Sequence, residues 1–231
     1  TFHLGALVDA GVAQRMRTAP DPRIYLRPQS TAEAVAVLIL LDASASTVRP
    51  AGTSGRSVLE AARVAALACA GALESAGHAC AIQAFASDGR HAVQVGCLKD
   101  FGERSDDDAV LARSAALASA LSTRVGAALR HAGAVLARRR EARRLVLLLT
   151  DGEPHDIDVH DSRYLLDDLR AAAAETRRRG IGVACLDLDG SAAAARREAL
   201  RRVFAPGACR ALPRLDTLPQ ALAAVLAGTW A

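Results

Sequence analysis

Two apolar runs, each closed by an aspartate, constrain this chain more than any other feature. Ala34 to Leu41 is followed by Asp42-Ala43-Ser44-Ala45-Ser46, and Leu145 to Leu149 by Thr150-Asp151-Gly152. A short unbroken apolar run rich in branched residues is the pattern of a strand buried on both faces, which occurs in parallel sheets covered by helices. Each such strand here delivers hard oxygen donors at its carboxyl end. In the first loop a carboxylate and two hydroxyls alternate, a set suited to a small hard cation such as Mg²⁺.

The remainder of the sequence alternates helix and strand. Arg56 to Ser75 has a helical stripe (Val58, Leu59, Ala62, Ala66, Leu67, Ala70) stopped by Gly77. Cys80 to Ala86 and Ala92 to Leu98 flank Ser87-Asp88-Gly89 and read as a hairpin. Asp106 to Ala120 and Thr123 to Arg139 read as helices, then Arg144 to Thr150 as a strand. Ser162 to Arg179, Ile181 to Leu188, Ser191 to Phe204, Cys209 to Leu212 and Thr217 to Leu226 continue as helix, strand, helix, strand, helix. The expected fold is a doubly wound, mostly parallel six-stranded sheet with helices on both faces and one antiparallel edge strand. Residues 1–30 read as an N-terminal arm, with a short helix before Pro20-Asp21-Pro22, and residues 31–231 as the domain.

Composition narrows the function classes. Aromatics are 3% of the chain, so its core is built from Ala, Leu and Val. The net charge of +4 is carried almost wholly by Arg, and Lys99 is the lone lysine. Arg138-Arg139-Arg140 and Arg177-Arg178-Arg179 fall at helix ends, where they complement the helix dipole. That placement argues against a nucleic-acid surface. The five cysteines are odd in number and include no CxxC, which reads as free thiols in a reducing compartment, the cytoplasm. No apolar stretch is long enough to span a membrane, and no basic-then-apolar leader opens the chain.

In an open α/β sheet, ligands bind beyond the strand ends where the winding reverses, so the Asp42 and Asp151 loops are expected to face each other. Asp42-x-Ser44-x-Ser46, Thr123 at a helix start and Thr150-Asp151-Gly152 resemble the metal-ion-dependent adhesion site of von Willebrand factor A (VWA) domains. The resemblance runs from about Val35 to the C-terminus. A narrower likeness is carried by Pro20 to Tyr25, Ser122 to Ala132 and Thr150 to Asp158. These stretches resemble the bacterial NorD-type and CbbO-type VWA proteins, which activate nitric oxide reductase or Rubisco together with MoxR-type AAA+ ATPases.

The resemblance implies several things. Ser44, Ser46 and Thr123 would give hydroxyl oxygens to Mg²⁺ (or Mn²⁺ or Ca²⁺), with Asp42 and Asp151 supplying charge directly or through water. One coordination position would be left for an Asp or Glu of a client enzyme. The partners would be a MoxR-type AAA+ ATPase hexamer and that client, in a bacterial cytoplasm. The domain would be the C-terminal part of a longer protein, in keeping with an opening Thr1.

Bland readings stand beside these. Ser44, Ser46 and Asp151 could serve only as helix caps. Glu153, His155, Asp156 and Asp158, with His160 and Asp161, offer either a second, zinc-like metal site or a solvated rim that shapes partner choice. Ser87, at the end of the second strand, joins that rim or simply belongs to a hairpin turn. Two other functions also remain open: a Mg²⁺-dependent phosphohydrolase and an extracellular adhesion domain of the same fold. The chain lacks GxxxxGK[ST], so ATP hydrolysis belongs to the partner.

Overall fold

The computed structural model describes residues 34–51, 55–152, 154–188, 194–212, 221, 224 and 225. The expected arm, the proposed Ser191 cap and most of the expected closing helix lie outside these residues.

Six strands form one sheet: β1 (Val35–Asp42), β2 (Ala79–Ser87), β3 (Val93–Lys99), β4 (Arg143–Thr150), β5 (Gly182–Asp187) and β6 (Cys209–Ala211). Their order is β3-β2-β1-β4-β5-β6, with every pair parallel except β2 with β3. This is the expected mixed sheet with a single antiparallel edge strand. Five helices accompany it among the described residues: α1 (Val58–Ser75), α2 (Asp108–Ala116), α3 (Val125–Ala137), α4 (Ser162–Arg178) and α5 (Ala194–Arg201). The steps from β1 to β2 and from β4 to β5 run in opposite directions along the sheet. With right-handed crossovers, α1 and α4 must then lie on opposite faces.

Burial follows from this placement. Every residue of β1 is buried, as are Leu145 to Thr150 of β4, because each strand has a neighbour on both sides and helices above and below. Local signals set the helix ends. Ser57 and Glu60 form a reciprocal capping box on α1. Gly77 and Gly180, with φ of 80° and 70°, take the left-handed conformation that closes α1 and α4. Arg177 and Arg178 sit in the last turn of α4, as a dipole-complementing role requires.

One helix departs from expectation. The sequence predicts helix to Ala120, yet α2 ends at Ala116 and the chain turns extended at Leu117. The main chain beyond it is committed elsewhere: Ala120 N donates to Ala43 O at 2.9 Å, and Leu121 O accepts from Ala45 N at 3.0 Å. Tertiary main-chain bonds outcompete helix propensity in this alanine-rich stretch. They hold Leu121 at φ 64°, the one non-glycine left-handed residue among those described, at a cost of roughly 1–2 kcal/mol.

The position of β1 at the centre of the sheet makes a quantitative expectation. Ile39→Ala should cost about 3 kcal/mol in urea unfolding, whereas Val93→Ala on the half-buried edge should cost less than about 1 kcal/mol. Equal costs would show that the core is not centred on β1.

Candidate metal-ion site

The carboxyl ends of β1 and β4 lie side by side, since Leu41 pairs with Leu149 in parallel register. Asp42 is 3% exposed and accepts three hydrogen bonds. Ser44 N (3.0 Å) and Thr123 Oγ1 (3.2 Å) donate to Oδ1, and Thr150 Oγ1 (2.7 Å) donates to Oδ2. The chain of oxygens continues: Ser44 Oγ lies 3.0 Å from Ser46 Oγ, which donates to Asp151 Oδ1 at 2.9 Å. All five residues singled out in the sequence are thus brought together. Asp42, Ser44, Thr123 and Asp151 are buried, while Ser46 is exposed and forms the mouth.

Helix capping does not explain this arrangement. Ser44 stands at the N-cap position before a 3₁₀ turn (Ala45–Val48) but makes no side-chain capping bond there. Asp161, not Asp151, caps α4, accepting from Arg163 N. Burial, joined by the negative charge of Asp151, raises the Asp42 carboxyl above its ordinary range, and hydrogen bonds from Ser44 and Thr150 pull the other way.

The loops are held by main-chain pairing as well. Ser87 and Ser122 exchange bonds of 2.9 and 2.8 Å. Thr123 and His155 exchange bonds of 2.7 and 3.2 Å, which places Thr123 before the start of α3 rather than on it.

The rim expected at Ser87, His155, Asp156 and Asp158 divides in two. His155 and Asp158 are exposed; Glu153 lies outside the described residues. Ser87 (0%) and Asp156 (1%) are enclosed and cannot form a solvated rim. Asp156 instead accepts from Ser87 Oγ (2.9 Å), Gly89 N (2.9 Å), Ile157 N (2.8 Å) and Arg124 Nε (2.8 Å). Arg124 also pairs with Asp158, and Asp158 accepts from Arg90 N at 2.8 Å. These contacts tie the Asp156 loop to the β2–β3 turn. The zinc-like alternative draws no support: among the described residues no three His, Cys, Asp or Glu side chains come together as a metal-binding group. Burial alone would raise the Asp156 carboxyl; Arg124, Ser87 and the two amides outweigh it and leave it below the usual carboxylate range.

Two residues of the site escaped the sequence reading. In sequence Thr150 is one letter of the Thr150-Asp151-Gly152 motif, whereas in the fold it anchors Asp42. Arg49 donates from Nε to Asp151 Oδ2 (3.2 Å) and from Nη2 to Asp151 O (2.9 Å). Its signal was its position three residues after Ser46, in the turn that returns toward the site.

The oxygen-rich donor set fits a hard cation: two carboxylates and three hydroxyls converge, with no sulfur or nitrogen donor among the five. Lys99, the only lysine, lies elsewhere. It is fully buried, pairs with Glu74 at 2.8 Å and donates to Cys80 O at 2.6 Å. Cys80 is near the start of β2, about 23 Å along the strand from Ser87 at its site end.

Comparison with known proteins agrees with this fold. Residues 37–153 match the family described as von Willebrand factor type A domain. Protein NorD of Brucella suis biovar 1 is 38% identical over 203 residues, covering 88% of this chain and 31% of that protein. The chain therefore spans about a third of the length of the curated relatives it matches. Among solved structures, the PilB minor pilin of Streptococcus sanguinis superposes with TM-score 0.66 at 13% identity, over 87% of this chain and 62% of that one. The vWF domain of the type V pilus tip protein Mfa5 from Porphyromonas gingivalis gives TM-score 0.62 at 12% identity, over 85% and 96%. At such identities the likeness concerns fold alone.

The Asp156 network carries its own expectation. A depressed carboxyl contributes stability above its unfolded value near ~4 and loses it as pH falls through the folded value. Asp156→Asn should therefore cost about 1–3 kcal/mol at pH 7, because the amide gives up the charge pairing with Arg124, which keeps only Asp158, and accepts fewer of the surrounding hydrogen bonds. The gap to the unsubstituted protein should shrink in urea unfolding below pH ~4. A gap independent of pH would overturn the ionised-pair description.

Proposed function

The chain belongs to the von Willebrand factor type A domain family, and on that premise we propose that it is a Mg²⁺-dependent, non-catalytic protein-binding module. It would act as an adaptor between a MoxR-type AAA+ ATPase and a client enzyme such as nitric oxide reductase or Rubisco. The observation that carries the reading is the convergence of Asp42, Ser44, Ser46, Thr123 and Asp151 on one point with a single exposed mouth at Ser46. Ser44, Ser46 and Thr123 would hold the ion through hydroxyl oxygens, and Asp42 and Asp151 would supply negative charge. The bound ion supplies an electrophilic position for a carboxylate from the partner.

What the chain's own residues contribute is order. Thr150 and Ser44 N fix the Asp42 carboxylate, and Ser46 fixes Asp151, so few rotamers remain to be frozen when a ligand arrives. Each of the three loops around the mouth also exposes one large apolar side chain: Val48 at 70%, Leu121 at 40% and Ile157 at 63%. Exposed apolar groups beside a charge-seeking site suit a protein partner. Leu121 is presented by strained backbone, and strain of this kind concentrates at functional sites. His155 and Asp158 extend the contact surface.

The hydrolase reading finds no comparable observation. The position two residues after Asp42, where a second acid-base carboxylate would stand, holds Ser44. Lys99 is buried near the opposite end of the sheet. The cytoplasmic placement rests on the five free thiols. Burial pushes two of them, Cys69 and Cys80, up to about 12 and so keeps them unreactive. Among the described residues no helix is long and apolar enough to cross a membrane.

Asp42→Ala and Ser44→Ala should each weaken Mg²⁺ binding by calorimetry more than tenfold while far-UV circular dichroism is unchanged. In the full-length protein the same variants should lose the client in a Mg²⁺-containing pull-down, as should EDTA treatment of the unsubstituted protein. Client capture indifferent to both the substitutions and EDTA would sink the metal reading. Turnover of a generic phosphate ester that Asp42→Ala abolishes would sink the non-catalytic one.

A further inference from the structure

We infer that Arg49 is a built-in counter-cation of this site, which neutralises Asp151 when no divalent ion is present and competes with the ion for that carboxylate. The inference rests on the metal reading above and concerns how loading of the site is controlled.

Asp151 brings a negative charge to within a few side chains of Asp42, and its own side chain is 2% exposed. Two carboxylates sharing a buried site repel each other, and desolvation adds to the cost. Arg49 offsets that cost at Asp151. Its Nε bonds Oδ2 at 3.2 Å and its Nη2 bonds the Asp151 main-chain oxygen at 2.9 Å, a two-point grip on one residue. The grip is set by the main chain, since Arg49 N is bonded to Ser46 O (3.4 Å) and Arg49 O accepts from Val58 N (2.9 Å). The guanidinium thus reaches Asp151 from within the same loop that carries Ser44 and Ser46.

Both carboxylate oxygens of Asp151 are thereby engaged, Oδ1 by Ser46 and Oδ2 by Arg49. A divalent ion that draws charge from Asp151 meets a cation already in place. It must either displace the guanidinium or bind beside it against repulsion. By linkage, whatever Arg49 gains from Asp151 in the metal-free state is subtracted from metal affinity. The side chain is 35% exposed, so a route to solvent is open when it is displaced. The consequence is a site that is stable when empty and loads only at adequate divalent-ion concentration.

The test uses the chain with Arg49→Gln and Arg49→Lys. Mg²⁺ and Mn²⁺ are titrated by calorimetry, and thermal midpoints are measured in EDTA and in saturating Mg²⁺. Arg49→Gln should bind Mg²⁺ about tenfold more tightly, a typical size for coupling between two ligands of one site. Its midpoint should fall in EDTA and recover in Mg²⁺. Arg49→Lys, which keeps the charge but not the forked contact, should fall between. Equal or weaker Mg²⁺ binding by a folded Arg49→Gln overturns this inference alone. No Mg²⁺ binding by either the unsubstituted chain or Arg49→Gln overturns the metal reading and this inference with it.

Discussion

Asp42 is buried at the one place where the sheet changes its winding direction, and a carboxylate in that position must be satisfied from several directions at once. Ser44 N reaches it from its own loop, Thr123 from the segment before α3, and Thr150 from β4. Three separate parts of the chain are therefore registered against one side chain. The main-chain bonds of Ala43, Ala45, Ser87 and Thr123 with the 120–123 segment and His155 then fix the loops around it. A buried anion is costly unless its hydrogen bonds are complete, so the requirement to satisfy Asp42 shapes the whole upper edge of the domain.

The parts of the fold that depend on short-range pattern were legible in the sequence. β1 runs from Val35 to Asp42 as its apolar stretch indicates, and the hairpin, the central β4 and the glycine-terminated helices α1 and α4 fall within a residue or two of their expected limits. What was not legible depends on partners distant in sequence. Nothing local tells the alanines after Ala116 to leave the helix; their bonds to Ala43 and Ala45 do. Asp156 looks like any loop acid until Arg124 and Ser87 are placed beside it. Arg49 looks like a surface arginine until Asp151 closes on it. The five motif residues could be named from spacing, but their linkage through Ser44 and Ser46 to Asp151 needed coordinates.

The site combines two kinds of side chain that fall to opposite faces of the loops. Inward lie the carboxylates and the hydroxyls of Ser44 and Thr123, with Arg124 and Asp156 bracing the adjacent turn and Ser46 open at the mouth. Outward lie Val48, Leu121, Ile157, His155 and Asp158. The division separates the groups that can hold charge from those that can present apolar contact area. The strained Leu121 marks the boundary, since its main chain belongs to the inner framework and its side chain to the outer surface.

The hydrogen bonds of the site join residues far apart in the chain: Thr123 to Asp42 across 81 positions, Ser46 to Asp151 across 105 and Thr150 to Asp42 across 108. Contacts of such separation carry a loop-closure cost that local contacts do not. A ribosome delivers Asp42 well before Asp151, so a nascent chain carries half of the constellation until β4 and its loop have emerged and inserted beside β1. Assembly of the site is thereby tied to completion of the sheet. A truncated or partly folded copy has no assembled mouth, so a partner of the kind proposed above would select finished molecules from unfinished ones.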